Sequence, residues 1–206
     1  MLDFGCGSKP YKHFFSVAEY IGVDMVNPAY TKQSENIDYF IKDGKIPFPD
    51  NYFDSVLCTE VLEHVFSIDE VLTEISRVLK PNGRFLITLP FVWEEHEMPY
   101  DFARYSSVAL ITILRKHGFE VIEHRKIGNS FETIYQLKVM EVYYWLVRCI
   151  SNIFIRKKIG LILIPLYNLR AIIMGKLFSK NNPNLYLNNV ILSSKIGNLS
   201  KEVSKR

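Results

Sequence analysis

A chain of 206 residues, 48% of them apolar, is long enough for one domain with a sizeable core, and its ordinary glycine and proline content sets it apart from disordered and repeat proteins. Cys6, Cys58 and Cys149 lie far apart with no C-x-x-C pair, which argues against a disulfide frame or a cysteine zinc site and for a reducing compartment. The net charge of +3 is unevenly placed. Residues 1–130 hold 13 basic and 19 acidic side chains, residues 131–206 hold 12 and 3, and such a basic, apolar tail suits an anionic surface.

In chain order, "MLDFGCGSKPYKHFF" opens with a short apolar strand and a glycine turn, after which Pro10 stands where a helix would begin. "EYIGVDM" is a strand ending near Asp24, and "IDYFIKDG" is a second, ending at Asp43-Gly44. "YFDSVLCTEVLEHV" begins as a buried strand and turns helical near Glu60. "SIDEVLTEISRVLKPNG" has apolar residues at helical spacing, a capping box from Ser67 and Glu70, and a stop at Pro81-Asn82-Gly83. "RFLITLP" is a strand, "SSVALITILRKHG" a helix and "FEVIEHRKI" a strand. This alternation predicts a parallel sheet with helices on its faces, and ligand chemistry along the strands' carboxyl edge.

Residues 132–180 are apolar on almost every face, with Arg156-Lys157-Lys158 and Pro165 as dividers. The longest uncharged stretch, "IGLILIPLYNL", falls short of the roughly 18 residues of a spanning helix. The expectation is two helices lying on an anionic membrane without crossing it, with Lys176 and Lys180 beyond and Tyr143, Tyr144 and Trp145 at interfacial depth. A hairpin packed on the sheet and a homodimer interface are the alternatives. Nucleic acid is disfavoured, because the basic residues are interleaved with bulky aliphatics.

Three clusters carry chemistry. Gly5 and Gly7 let a ligand approach the backbone, with Asp24 at the spacing of a ribose-binding carboxylate, but Pro10 replaces the third glycine of a dinucleotide turn. In "EVLEH", Glu60, Glu63 and His64 share one face of the predicted helix. That triplet has three readings: helix packing, a general base at His64 or His96, or a divalent-metal site made by Glu60, Glu63, His64 and His96. In "HEMPYDFARYS", Arg104 suits a phosphate or carboxylate on an acceptor and Tyr100 or Tyr105 a sugar face, unless Arg104 pairs with Asp101.

Together, "LDFGCG", "YIGVD", "DGKIPFPDNYFDSVLCTEVLEHV" and "EISRVLKPNGRFLITLP" resemble successive motifs of class I S-adenosylmethionine (SAM)-dependent methyltransferases of the type-11 group, over residues 1 to about 130. The resemblance implies a Rossmann-like α/β sheet of order 3-2-1-4-5-7-6, its last strand antiparallel and supplied by "NLYLNNVILSS" after the apolar helical insertion. It implies a SAM-binding core over 1–131, an insertion over 132–180, and a last strand with a basic tail over 181–206. It places the methionine moiety of SAM over Gly5, Cys6 and Gly7, with Asp3 beneath. Asp24 would take the ribose, Asp43 and Gly44 the adenine edge, and the backbone of Thr59, Glu60 and Val61 the sulfonium side. Lys9 departs from the third glycine that many members carry. E-x-x-E-H with a later histidine resembles metal-dependent members, and H-x-x-P-x-D-F-x-R-Y resembles members of polysaccharide and glycolipid pathways. The expected acceptor is a hydroxyl or carboxyl of a glycan or lipid-linked intermediate, with a quinone-like molecule as runner-up and a non-catalytic binding domain as the alternative outside enzymes. The expected location is the cytoplasm, at the inner face of the membrane. The family commonly has lid helices before the first strand, so a truncated start is expected.

Overall fold

A computed structural model of the protein describes residues 1–25, 36–178 and 184–197. Lys180 and the basic tail from 198 onward therefore lie outside the described residues. Seven strands form one sheet: β1 (Leu2–Phe4), β2 (Ile21–Met25), β3 (Tyr39–Ile41), β4 (Phe53–Thr59), β5 (Leu79–Pro90), β6 (Phe119–Ile127) and β7 (Asn188–Lys195). Their order is β3-β2-β1-β4-β5-β7-β6, with β7 the antiparallel strand, as expected. The pairs β2–β3, β1–β2, β1–β4 and β4–β5 are all parallel, so these five strands point their carboxyl ends to one edge. The central strand β1 is buried at every position, which is why it reads as a plain apolar run interrupted only by Asp3.

Two helices in this part of the chain bury one stripe each: α1 (Ile68–Val78) with Ile68, Val71, Leu72, Ile75 and Val78, and α2 (Ser107–Lys116) with Leu110 and Leu114. They join Leu2, Phe4, Val23, Val56, Phe85, Leu89 and Ile191 in one apolar core. Each large side chain buried there contributes about 1.5–3 kcal/mol.

Local expectations fail in four places, each with a physical cause. After the glycine turn there is no α-helix, only a 3-10 turn over Lys12–Phe14 that buries nothing, so no apolar contact rewards a longer helix. Ser67 stands at the start of α1 without a side-chain capping bond, whereas Ser106 does cap α2 by accepting from the Ala109 N–H. Helix α1 ends at Val78, because Leu79 already pairs with Phe53; Pro81-Asn82-Gly83 lies within β5, where Asn82 takes a positive φ of 63°. The "EVLEH" segment makes only a 3-10 turn at Leu62–His64, and Glu60, at φ 53°, stands outside it.

The chain divides into two compact units: Met1–Pro90, Glu95–Arg125 and Asn189–Arg206 make the first, Phe91–Glu94 and Lys126–Asn188 the second. The second consists chiefly of α3 (Ser130–Cys149) and α4 (Ile153–Phe178). Helix α3 opens with a full capping box, Asn129 accepting from the N–H groups of Phe131 and Glu132 while Glu132 accepts from the Asn129 N–H. The two helices are antiparallel, with the rings of Phe131 and Phe178 6.1 Å apart at their far ends. The division between them is a correction to the sequence reading. It falls before the basic run, at Asn152, whose side chain accepts from the N–H groups of Phe154 and Ile155, and Pro165 is accommodated inside α4.

Candidate active site

The sheet's carboxyl edge collects every candidate cofactor residue within the first unit. Asp3 and the Gly5–Gly7 turn close β1, Asp24 is the penultimate residue of β2, Asp43-Gly44 follows β3, and Glu60-Val61 follows Thr59 at the end of β4. Strands β1 and β4 flank the point where strand order reverses, the usual ligand crevice of open α/β sheets.

The glycine turn is built by tertiary contacts. The N–H groups of Gly5 and Cys6 both donate to the Val23 carbonyl of β2, and the Gly7 N–H donates to the Asp24 carboxylate at 2.8 Å. Gly5 takes φ 70°, and a Cβ there would stand 2.3 Å from a Val61 methyl. This glycine is required by Val61 pressing on the turn, a reason beyond the ligand approach read from the motif. Gly22 of β2 has a comparable role that the sequence did not reveal. Its missing Cβ makes room for Cys6 and for Lys9, whose ammonium reaches across to Asp38 at 2.6 Å. Asp38 also accepts from the Gly22 N–H. Lys9, the departure from the third glycine, is thus a strap that ties the turn to the segment before β3.

Two buried or half-buried carboxylates, Asp3 and Asp24, lie beside the turn. Asp3 is 2% exposed and accepts from the Tyr20 hydroxyl at 2.5 Å; burial raises its pKa above the ordinary value. Burial also raises Asp24, against the backbone N–H bonds of Gly7 and Met25. A cation or a diol donating to these groups stabilises their ionised forms. Asp43 and Gly44, both left-handed, are the two central residues of a tight turn closed by the Lys45 N–H on the Lys42 carbonyl, and Asp43 is exposed. Cys6 is no nucleophile: burial pushes its thiol up to about 12.

Beyond the end of β4 the structure is organised around Glu63. Its carbonyl accepts from the N–H groups of both Phe102 and Ala103, which fixes the loop after β5. Its side chain is fully buried, neither carboxylate oxygen has a hydrogen-bond partner among the described residues, and burial pushes the group up to about 8. His64 lies beside it, with Nδ1 2.8 Å from the Tyr100 carbonyl. A carbonyl only accepts, so the ring proton resides on Nδ1, and Nε2 is the basic nitrogen. Nε2 lies 3.9 Å from a Glu63 oxygen and 4.0 Å from a Glu97 oxygen, and the His64 and His96 rings are 4.8 Å apart.

The structure therefore brings together Glu63, His64 and His96, whose ligand atoms lie within 4.8 Å of one another. Glu60 is not in that group. Its carboxylate accepts from the Thr88 hydroxyl of β5, and its own N–H donates to the Thr88 carbonyl. Arg104 forks onto Asp101 through two bonds of 2.6 and 2.7 Å, which holds the Asp101 carboxyl well below the usual range. Asp101 accepts the His96 N–H as well, so the Asp101–Arg104 pair positions His96. This is the pairing alternative read for the loop. Glu97 was not singled out by the sequence, and Asp101 entered there only as the pairing partner of Arg104, through their i,i+3 spacing.

The fold and the cofactor edge define a class: residues 2–87 match the protein-family model described as "Methyltransferase domain", and this segment is a class I methyltransferase domain of the type-11 group. Among curated proteins, the "Ubiquinone/menaquinone biosynthesis C-methyltransferase UbiE" of Burkholderia multivorans is 48% identical over 88 residues, 42% of this chain and 35% of that protein. The chain spans about a third or less of the length of such relatives. Among solved structures, the [4+2]-cyclase SpnF superposes with a TM-score of 0.58 at 19% identity, over 95% of this chain and 75% of that one. The phosphoethanolamine N-methyltransferase 2 of Haemonchus contortus, solved with SAM, gives 0.54 at 18% identity, over 95% of this chain and 48% of that one. A cyclase among these neighbours underlines that the shared fold does not choose the reaction.

Proposed function

We propose that the chain is a SAM-dependent methyltransferase whose acceptor is a hydroxyl or carboxyl group on a lipid-borne molecule, a lipid-linked glycan intermediate being the first candidate. SAM supplies a methyl group on a sulfonium, a leaving group already activated. Asp3 and Asp24 bind its cationic and diol ends as charge-assisted acceptors, and the Gly5–Gly7 backbone carries the rest. The remaining task is to hold an acceptor oxygen in line with the methyl carbon, and such positioning accounts for much of the rate in transfers of this kind. His64 is placed to take the proton of an acceptor hydroxyl at Nε2, while the Tyr100 carbonyl keeps the other ring nitrogen protonated. That tautomer, on a residue at the acceptor end of the sheet, is the observation that carries the oxygen-acceptor reading. The localisation that goes with it is the cytoplasmic face of a membrane.

A quinone-like acceptor is the second reading. It is favoured by relatives named as ubiquinone and menaquinone C-methyltransferases, although their matches cover 32% and 42% of this chain and the family model ends at residue 87, short of the loop that holds His96 and Arg104. A divalent ion is the competing use of this cluster, since a ligated Nε2 could not also take the acceptor proton; a buried carboxylate with no hydrogen-bond partner among the described residues, beside two imidazoles, fits one. Glu63, His64 and His96 would hold it, and it would polarise the acceptor oxygen.

Calorimetric titration with SAM, followed by transfer of labelled methyl groups into lipid and glycolipid extracts, tests the reading. SAM binding with label on a lipid-borne product, in an alkali-stable ether for a hydroxyl acceptor or an alkali-labile methyl ester for a carboxyl, is the expected outcome; label on ring carbon selects the quinone reading instead. Absence of SAM binding removes the enzyme reading altogether. Cobalt titration monitored by its visible spectrum, with and without His96→Ala, tests the ion separately from activity.

A further inference from the structure

The second unit carries an apolar surface that its own packing leaves open. By length and composition α4 is long and apolar enough to cross a membrane, more than the uncharged stretch in the sequence suggested, and 11% of its most apolar eighteen-residue window is buried. Gly160, Ala171 and Gly175 are the buried residues of α4, and at 3.6 residues per turn they fall on one narrow face. Leu161, Ile162, Leu166, Leu169, Ile172 and Ile173 are each 46–75% exposed and spread over about 140° of the circumference. A partner helix of a second copy covers a stripe; an arc this wide is matched by a surface into which the helix sinks.

The charges identify that surface. Arg148 ends α3, and Arg156, Lys157 and Lys158 occupy the first turns of α4, so four basic residues gather at the hairpin tip. At the start of α4 the helix dipole opposes cations, so these side chains are stabilised by an anion from outside the helix. Tyr143, Tyr144 and Trp145, each about half exposed, lie within two turns of the tip. Aromatic rings beside basic groups match the headgroup layer of an anionic bilayer.

Orientation follows from α3. The helices are antiparallel, so α4 crosses a bilayer only if α3 crosses beside it. Lys138 and Glu141, both exposed, lie midway along α3, where crossing would set them in hydrocarbon at high cost. We infer that α3–α4 is an interfacial membrane anchor, lying along the surface of an anionic bilayer with the exposed arc of α4 immersed and the basic tip at the headgroups. This inference stands independently of the methyl-transfer reading.

Flotation of the full-length protein with vesicles tests it. Vesicles of phosphatidylcholine with phosphatidylglycerol should carry the protein upward, with several-fold less carried by phosphatidylcholine alone or in high salt. Arg156→Glu, Lys157→Glu and Lys158→Glu together should abolish flotation at an unchanged melting temperature. So should Leu161→Gln, Leu166→Gln and Ile173→Gln together, since all three side chains are exposed. Cys149 at the tip gives a second readout, because Cys6 and Cys58 are buried and only Cys149 is exposed to an impermeant maleimide. Its labelling from outside should slow several-fold when anionic vesicles are added. A protein that stays unbound at low salt, or sediments as a dimer indifferent to vesicles, overturns the inference. Labelling of Cys149 only by reagent trapped inside the vesicles also overturns it, in favour of a crossing hairpin.

Discussion

The sheet unit and the helical hairpin use apolar residues in opposite ways, and the hairpin is the richer in them. In α1 the apolar residues fall on one stripe, and all five in that stripe are buried. In α4 they occupy nearly every face, and only two glycines and an alanine are buried. Burial therefore depends on the pattern of apolar residues and not on their number. A stripe specifies a fold, and a helix apolar all round specifies an apolar environment.

The difference can be broken or sharpened by substitution. Phe85, fully buried and 5.1 Å from the Phe119 ring, should cost about 3–5 kcal/mol of stability when changed to alanine, read as a fall in urea midpoint. Asp24→Ala should weaken SAM binding by about 1.5–3 kcal/mol in calorimetry, with the melting temperature nearly kept. Because burial raises Asp24 above 3.8, its protonation begins at higher pH than that of an exposed aspartate. SAM affinity should therefore weaken on acidification before exposed carboxylates titrate, and Asp24→Asn should flatten that limb. Arg104→Lys removes a two-pronged bond to Asp101 and should lower turnover roughly tenfold while SAM affinity stays as it was. Leu166→Gln in α4 should change stability by less than about 0.5 kcal/mol, since the side chain is 51% exposed. A loss as large as that of Phe85→Ala would show that the hairpin face is core after all.

The sheet order and the strand-end aspartates were legible because both rest on local signals, continuous apolar runs closed by Asp24 and Asp43, joined to a family resemblance. What stayed hidden depends on partners distant in sequence. "EVLEH" reads as a helix start, but the Glu60 N–H is claimed by Thr88, which no periodicity shows. Gly22 looks like an ordinary strand glycine until Lys9 is seen crossing it toward Asp38. The hairpin break at Asn152 did carry a local capping signal, outweighed in reading by the basic run that follows. Arg104 was placed in the right loop, yet its choice between an acceptor anion and Asp101 needed geometry.

Glu63 is tied to the loop after β5 by its carbonyl, through Phe102 and Ala103, while its carboxylate lies in the cluster with His64 and His96. Scaffolding and chemistry thus run through different atoms of one residue. Every amino acid brings the same carbonyl, so an isosteric change such as Glu63→Gln leaves the loop's anchorage in place. The chemistry proposed for the carboxylate can thus be altered without touching the bonds that hold the loop, provided the buried volume is kept.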